Sequence, residues 1–224
     1  MVAMKTLVVF CAGLLLVSTA RATTSTCQSG SLSSYLVSSF ACQTGSLIFS
    51  DFDYRGTGQD ASLIAVTPLA APDAEGFQFA ASWNAQNQNS ISSSQDAQII
   101  YTVQHAGGLI DSLTLSFSSI VSGSGTAGVT EQFCLGGPVS NCPQVNQGSV
   151  SVTNPGAGFT DKAFFSGVQT VGVSSTVYVT SSTNGTASIN GFSNTFSSPE
   201  PLPFVLLGTG LLGIGLMRRR FHRH

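Results

Sequence analysis

Between residues 47 and 192 the chain repeats one pattern: short apolar runs in which every second residue is hydrophobic, separated by clusters of Gly, Ser, Asn and Pro. Leu113, Leu115 and Phe117 alternate with Thr114 and Ser116, and Leu47, Phe49, Phe52 and Tyr54 alternate around Ser50-Asp51. A period of two puts one set of side chains on a core face and the other in solvent, the mark of a half-buried β-strand. Strands are predicted at 47–54, 61–66, 77–83, 98–103, 113–117, 129–135, 149–153, 164–173, 176–180 and 187–192. Asn184-Gly185, between the last two, is a type I′ hairpin signal. Helix formers are sparse, and the segments are rich in β-branched residues, Ser and Gly; a turn or two of helix is expected only at 35–41. The reading is an all-β, antiparallel β-sandwich, of jelly-roll or Ig-like type.

Two segments break this period. Thr6 to Val17 is continuously apolar, follows a short n-region with Lys5, and precedes Ala20-Arg21-Ala22. That order is a secretory signal peptide over 1–22, with Ala20 and Ala22 at the positions signal peptidase reads and Thr23 as the new N-terminus. Leu202 to Met217 is a second apolar run, followed directly by Arg218, Arg219 and Arg220. As a helix its sixteen residues reach about 24 Å, slightly less than a hydrocarbon core of about 30 Å. The basic cluster keeps that end cytoplasmic and leaves the body outside. Three parts follow: the signal peptide, a body over 23–198, and a tail over 199–224 with a single transmembrane helix at about 202–217.

Charge agrees with export. Only 8% of residues are charged and 42% are hydrophobic, against roughly 25% charged in an average globular protein. Ser, Thr, Asn, Gln and Gly must therefore cover the surface. From Thr23 to Ser198 there are nine acids and two bases, Arg55 and Lys162, a net of about −7. An acidic body lacks the basic footprint that nucleic-acid binding needs. Cys27, Cys42, Cys134 and Cys142 remain once the signal peptide, with Cys11, is removed. An even number in an exported chain reads as disulfides, and spacing favours Cys27–Cys42 and Cys134–Cys142. Zinc ligation needs closer pairs and usually His.

The chain end carries a resemblance. Pro199-Glu200-Pro201, a Gly- and Leu-rich span, and Arg218 to Arg220 together resemble the PEP-CTERM sorting signal. The resemblance implies a Gram-negative cell with an exopolysaccharide-rich surface, where a membrane peptidase, exosortase, reads the tail. It also implies transient anchoring by the C-terminal helix before delivery to the cell surface or matrix. The body resembles the same group through Leu32-Ser-Ser-Tyr-Leu, Cys42 to Tyr54, Gly76-Phe-Gln-Phe, Trp83 and Asp96 to Val103. That likeness spans about residues 27–135 and implies no shared enzymatic activity.

Candidate chemistry is thin. The Gly-x-Gly-x-x-Gly match at 123–128 runs into the strand-like Val129-Thr-Glu-Gln-Phe, and that at 208–213 lies inside the apolar span, so neither has the helix a dinucleotide site requires. His105 is the sole His of the body, with Asp111 and many Ser residues as triad partners on paper, and His105-Ala-Gly-Gly reads as a hairpin turn. Asp51, Asp53 and Asp60 are the densest acids, but Arg55 stands at a ligand position of a calcium loop. Trp83, Tyr35, Tyr54, Tyr101 and Tyr178 are candidates for a carbohydrate-stacking platform. The expected function is a non-enzymatic exported surface or matrix protein without cofactor or metal. Its expected partners are signal peptidase, an exosortase-type peptidase and the membrane. The alternatives are a module that binds extracellular polysaccharide and, behind it, a secreted hydrolase.

Overall fold

The structure, a computed structural model, describes residues 24–71, 74–86, 93–156 and 158–198. Ala20, Ala22, Thr23, Pro199, Glu200, Pro201, Arg218, Arg219 and Arg220 lie outside the described residues, as do both apolar terminal runs and the second glycine match. Among the described residues no helix is long and apolar enough to cross a membrane.

Thirteen strands are described: β1 Ser25–Thr26, β2 Gly30–Ser31, β3 Ala41–Thr44, β4 Leu47–Gly56, β5 Ala65–Ala71, β6 Ala74–Gln86, β7 Ser93–His105, β8 Ile110–Ser122, β9 Gly125–Leu135, β10 Gln147–Asn154, β11 Thr160–Val168, β12 Thr170–Ser181 and β13 Thr186–Ser197. One short helix, α1 Leu32–Tyr35, follows β2. One sheet has the order β1-β3-β4-β7-β12-β9-β10 and the other β11-β8-β13-β6-β5-β2. Every pairing is antiparallel except β1 with β3. Only β3–β4, β5–β6 and β9–β10 are hairpins; every other step crosses to the opposite sheet.

Alternation builds the single core between the sheets. Ala97, Ile99, Tyr101 and Val103 point inward from β7, Val171, Val173, Val177 and Val179 from β12, and Leu113 and Leu115 from β8. The centre is aromatic: Phe49 and Phe77 stand 4.5 Å apart between ring centroids, and Phe79 and Phe192 stack at 5.1 Å. Each such ring contributes roughly 1.5–3 kcal/mol by leaving water. Tyr35 on α1 plugs one end of the core against Phe40, Phe52 and Phe77, and burial pushes its phenol up to about 12.

Disulfides join Cys27 to Cys42 and Cys134 to Cys142. The first ties the chain beside β1 to β3 at one sheet edge. The second closes a loop that folds back over the outer face of β12. Gly172 makes room for it, since a Cβ there would sit 2.5 Å from Gly137 O and 2.6 Å from Val139 N. At the other edge β10 and β11 lie side by side, and the Asp161 carboxylate accepts the backbone N–H of Ser151 at 2.8 Å.

Four local expectations are corrected. The stretch 61–66 is not one strand: Asp60 accepts the Ser62 N–H and caps a 3-10 turn over Ala61–Leu63, so β5 starts at Ala65. The runs 164–173 and 176–180 divide at Gln169 instead, giving β11 in one sheet and an unbroken β12 in the other. Ser174 and Ser175 look like a gap in sequence, yet both are buried and bonded, to Gln98 and Glu131 respectively. The helix expected at 35–41 falls earlier, at Leu32–Tyr35. Asn184-Gly185 does turn the chain, with Gly185 N–H donating to Ser182 O at 3.0 Å. Of the two central residues, Thr183 and Asn184, only Asn184 has positive φ (60°), and β12 and β13 lie in different sheets. It is a bridge between sheets, not a type I′ hairpin.

Candidate functional site

Inside the sandwich, four polar side chains occupy positions the period reserves for apolar ones. Tyr101 sits between Ile99 and Val103, Glu131 between Val129 and Phe133, Ser175 between Val173 and Val177, and Asn194 between Phe192 and Phe196. None exceeds 1% exposure. Three come from one sheet, on β7, β9 and β12; Asn194 comes from β13 of the other. Ser175 Oγ donates to Glu131 Oε2 at 2.9 Å. Asn194 Nδ2 donates to Ser175 Oγ at 2.8 Å and to the Tyr101 hydroxyl at 2.9 Å. The network thus bonds the two sheets through their shared core.

Burial sets its charge. An ionised carboxylate with one hydrogen bond cannot replace its lost hydration. The Glu131 carboxyl is pushed up to about 8 by burial, against the opposing pull of the Ser175 hydrogen bond. The Tyr101 phenol moves well above its ordinary value, first by burial and then by the nearby Glu131. At neutral pH the cluster is therefore uncharged, and Glu131 carries a proton. Glu131 Oε1 and Asn194 Oδ1 are its two buried oxygens without a partner among the described residues, and a protonated carboxyl adds the one donor such a pair of acceptors needs. The Ser175–Glu131 contact has the spacing of a nucleophile and its base. Neither residue is open to solvent, and none of the four lines the outer depressions described below. The arrangement acts as a tether between the sheets.

The residues singled out in sequence scatter. His105 ends β7, and its Nδ1 accepts the N–H of Gly107 at 3.2 Å within its own loop; that loop crosses from one sheet to the other and is not a hairpin. Asp53 pairs with exposed Arg55 at 3.1 Å, Asp60 caps the 3-10 turn, and Asp51 takes positive φ at a bulge in β4. Among the described residues no group of three His, Cys, Asp or Glu side chains is placed to hold a metal. The glycines at 123–128 lead into β9 rather than into a helix. The aromatic platform does not form: Trp83, Tyr35 and Tyr101 are core residues. Tyr54 is half-buried and bonds Gln59 O. Tyr178 alone lies on an outer face, across Gly128, where a Cβ would meet its hydroxyl at 2.4 Å.

The outer faces hold shallow depressions. One of about 310 Å3 opens over the middle of the β8-β13-β6 face and is lined by Gln78, Ser116, Ser118, Asn190 and Ser193, with Gly191 and the edges of Phe117 and Phe192. Another of about 320 Å3 lies between the Cys134–Cys142 loop and β9-β10. Sequence reasoning singled out none of Glu131, Ser175, Asn194, Gln78 and Asn190. The first three were readable as polar residues on an apolar parity; Gln78 and Asn190 were hidden because any polar outer face looks alike in sequence.

No family model matches the chain, and no curated protein is similar to it. Two solved structures resemble the chain in part. One is a Glycosylation Associate Protein (Gap123) complex from Streptococcus agalactiae, 7% identical, TM-score 0.30, covering 65% of this chain and 26% of that one. The other is TmCBM61 in complex with β-1,4-galactotriose, 12% identical, TM-score 0.29, covering 65% and 88%. The chain spans about a quarter of the first neighbour's length. At these values neither likeness bears on function.

Proposed function

We propose that the chain is an exported, non-enzymatic protein of the cell surface or extracellular matrix, built as a jelly roll and delivered through its C-terminal tail. The observation that carries the reading is the pair of disulfides in a body poor in charged residues. Disulfides persist in oxidising compartments outside the cytoplasm, and a hydroxyl- and amide-covered surface stays hydrated there without ionic groups. The jelly-roll assignment rests on strand order. From β6 onward eight strands fall into the orders β6-β13-β8-β11 and β7-β12-β9-β10, the interleaving that two Greek keys produce when wound into two sheets. Processing rests on the sequence of the tail. Pro199-Glu200-Pro201 is the site an exosortase-type peptidase would cut, and the span 202–217 with Arg218, Arg219 and Arg220 would hold it in the membrane meanwhile.

The test compares an epitope tag placed after His224 with one inserted between Gln86 and Ser93 in the sequence. Loss of the terminal tag from the surface form, with retention of the internal one, supports processing. Both tags together on mature surface protein would make the tail an ordinary anchor. A mature N-terminus at Thr23, read by mass spectrometry, checks the export step.

A second reading, binding of extracellular polysaccharide, is favoured by one feature: the β8-β13-β6 depression is lined by neutral donors and acceptors and by no charged side chain.

A further inference from the structure

β13 lies inside its six-stranded sheet, bonded to β8 on one side and β6 on the other. Its ladder slips on both sides at one place. Ile189 pairs with Ser119 and Gly191 with Ser118, so Asn190 is an extra residue with no partner on β8. Across the other ladder the same two residues face Trp83 and Ala80. Bulges re-aim side chains and are over-represented at sheet edges, at barrel rims and next to active sites. A bulge in an inner strand weakens the ladder of the sheet it belongs to, and here it projects an amide into an open depression.

The side chains around Asn190 are unspent. Gln78, Ser118 and Asn190 are exposed, and these three with Ser193 bond to no other described side chain or backbone group, whereas Ser116 has Thr160 at 3.2 Å. Asn and Gln offer donor and acceptor together, and each Ser hydroxyl does both. A ligand matching such a set is itself uncharged and carries groups that donate and accept at once. Lys162, opposite Thr114 on the same face, turns its ammonium over the Phe164 ring, 4.5 Å from the centroid. Ile120, two residues beyond Ser118 on β8 and 66% exposed, adds an apolar surface beside the polar one. Amides and hydroxyls, with the edges of Phe117 and Phe192 at the floor, suit a sugar, whose hydroxyl rim and C–H face make the same division. A volume of about 310 Å3 falls at the lower end of small-molecule sites, roughly 300–1,000 Å3.

We infer that the depression around Asn190, on the outer face of β8-β13-β6, is a binding site for neutral saccharide chains, held by Asn190, Gln78, Ser118 and Ser193. The inference rests on the polysaccharide reading above and gives it a place and a charge class. It is tested by affinity electrophoresis of the disulfide-bonded body in gels containing β-1,4-galactan, xyloglucan or dextran, with alginate and polygalacturonate as acidic polymers. At least one neutral polymer is expected to retard the protein and the acidic ones are not. The double variant Gln78→Ala/Asn190→Ala is expected to lose at least tenfold in affinity with an unchanged melting temperature. Thr176→Ala, on the outer face of the opposite sheet, is expected to bind as the natural chain does. No retardation by any polymer would overturn both the site and the polysaccharide reading. Retardation by acidic polymers alone, or undiminished binding of the double variant, would overturn the assignment of this site and leave polysaccharide binding standing.

Discussion

Asn194 and Asn190 lie four residues apart on β13, one facing the core and the other facing solvent. Asn194 spends both amide hydrogens on Ser175 and Tyr101; Asn190 spends neither on any described residue. The interior cluster and the outer depression use the same chemistry, amides and hydroxyls, in opposite ways. Inside, a polar group without a partner costs about 1–3 kcal/mol, so the side chains bond each other. Outside, water satisfies them and leaves them exchangeable for a ligand. The comparison teaches that in a chain so poor in charge, residue type says little about role; facing decides it.

Changing pH breaks the comparison most strongly, because only the interior holds a buried acid. Below pH 4.5 both folded and unfolded chains hold the Glu131 proton. Between 4.5 and about 8 the unfolded chain releases a proton that the folded chain keeps, and stability falls with each unit; above 8 the curve levels. With the carboxyl raised from 4.5 to about 8, the loss from this group is roughly 4–5 kcal/mol at most. Urea denaturation at pH 4.5, 6, 7 and 8.5 reads it directly. Glu131→Gln, which cannot ionise, is expected to flatten the curve and to exceed the natural chain at pH 8.5. A natural chain as stable at 8.5 as at 5 would mean that water reaches Glu131.

Next in size is Asn194→Ala, which leaves the Ser175 and Tyr101 oxygens without a donor and opens a void. About 2–4 kcal/mol of stability is expected to go, measured as a shift in denaturation midpoint at constant slope. Between inside and outside lies the face of β12 beneath the disulfide loop, where Ser174 is buried although its strand position points outward. Replacing Cys134 and Cys142 by Ser is expected to cost about 2–3 kcal/mol for so short a loop. It is also expected to speed hydrogen exchange in 136–146 before it does so in β13. Asn190→Ala closes the series, with a change below about 0.5 kcal/mol; a larger loss would show that the bulge serves the fold.

Much of this was legible from the period. Ile99 to Val103, Leu113 to Phe117 and Val129 to Leu135 read as strands because alternation is local and side-chain facing follows from it. What could not be read was which sheet each strand joins. Asn184-Gly185 announces a turn, and nothing in four residues tells whether the chain returns beside its last strand or crosses to the other layer. Ser174-Ser175 misled for the opposite reason: polarity suggested a gap where distant partners, Gln98 and Glu131, had already satisfied both hydroxyls. The two-residue strand β1, too short for a pattern to show, pairs with β3 beside the Cys27–Cys42 link. Glu131 was one acid among nine until its parity was set beside that of Ala127, Val129 and Phe133.

The position of β13 has a mechanical meaning. The chain leaves the described fold at Ser198, directly after β13, and β13 is bonded on both sides, to β6 and β8. A pull on that end does not peel an edge one hydrogen bond at a time. It must shear two ladders at once, and the load passes into the middle of the sheet. At the other end the Cys27–Cys42 bond halts unravelling at Cys27, beside the edge of β3. A domain pulled from its C-terminal side would thus meet the force at a doubly bonded strand, with the chain near its other end covalently closed.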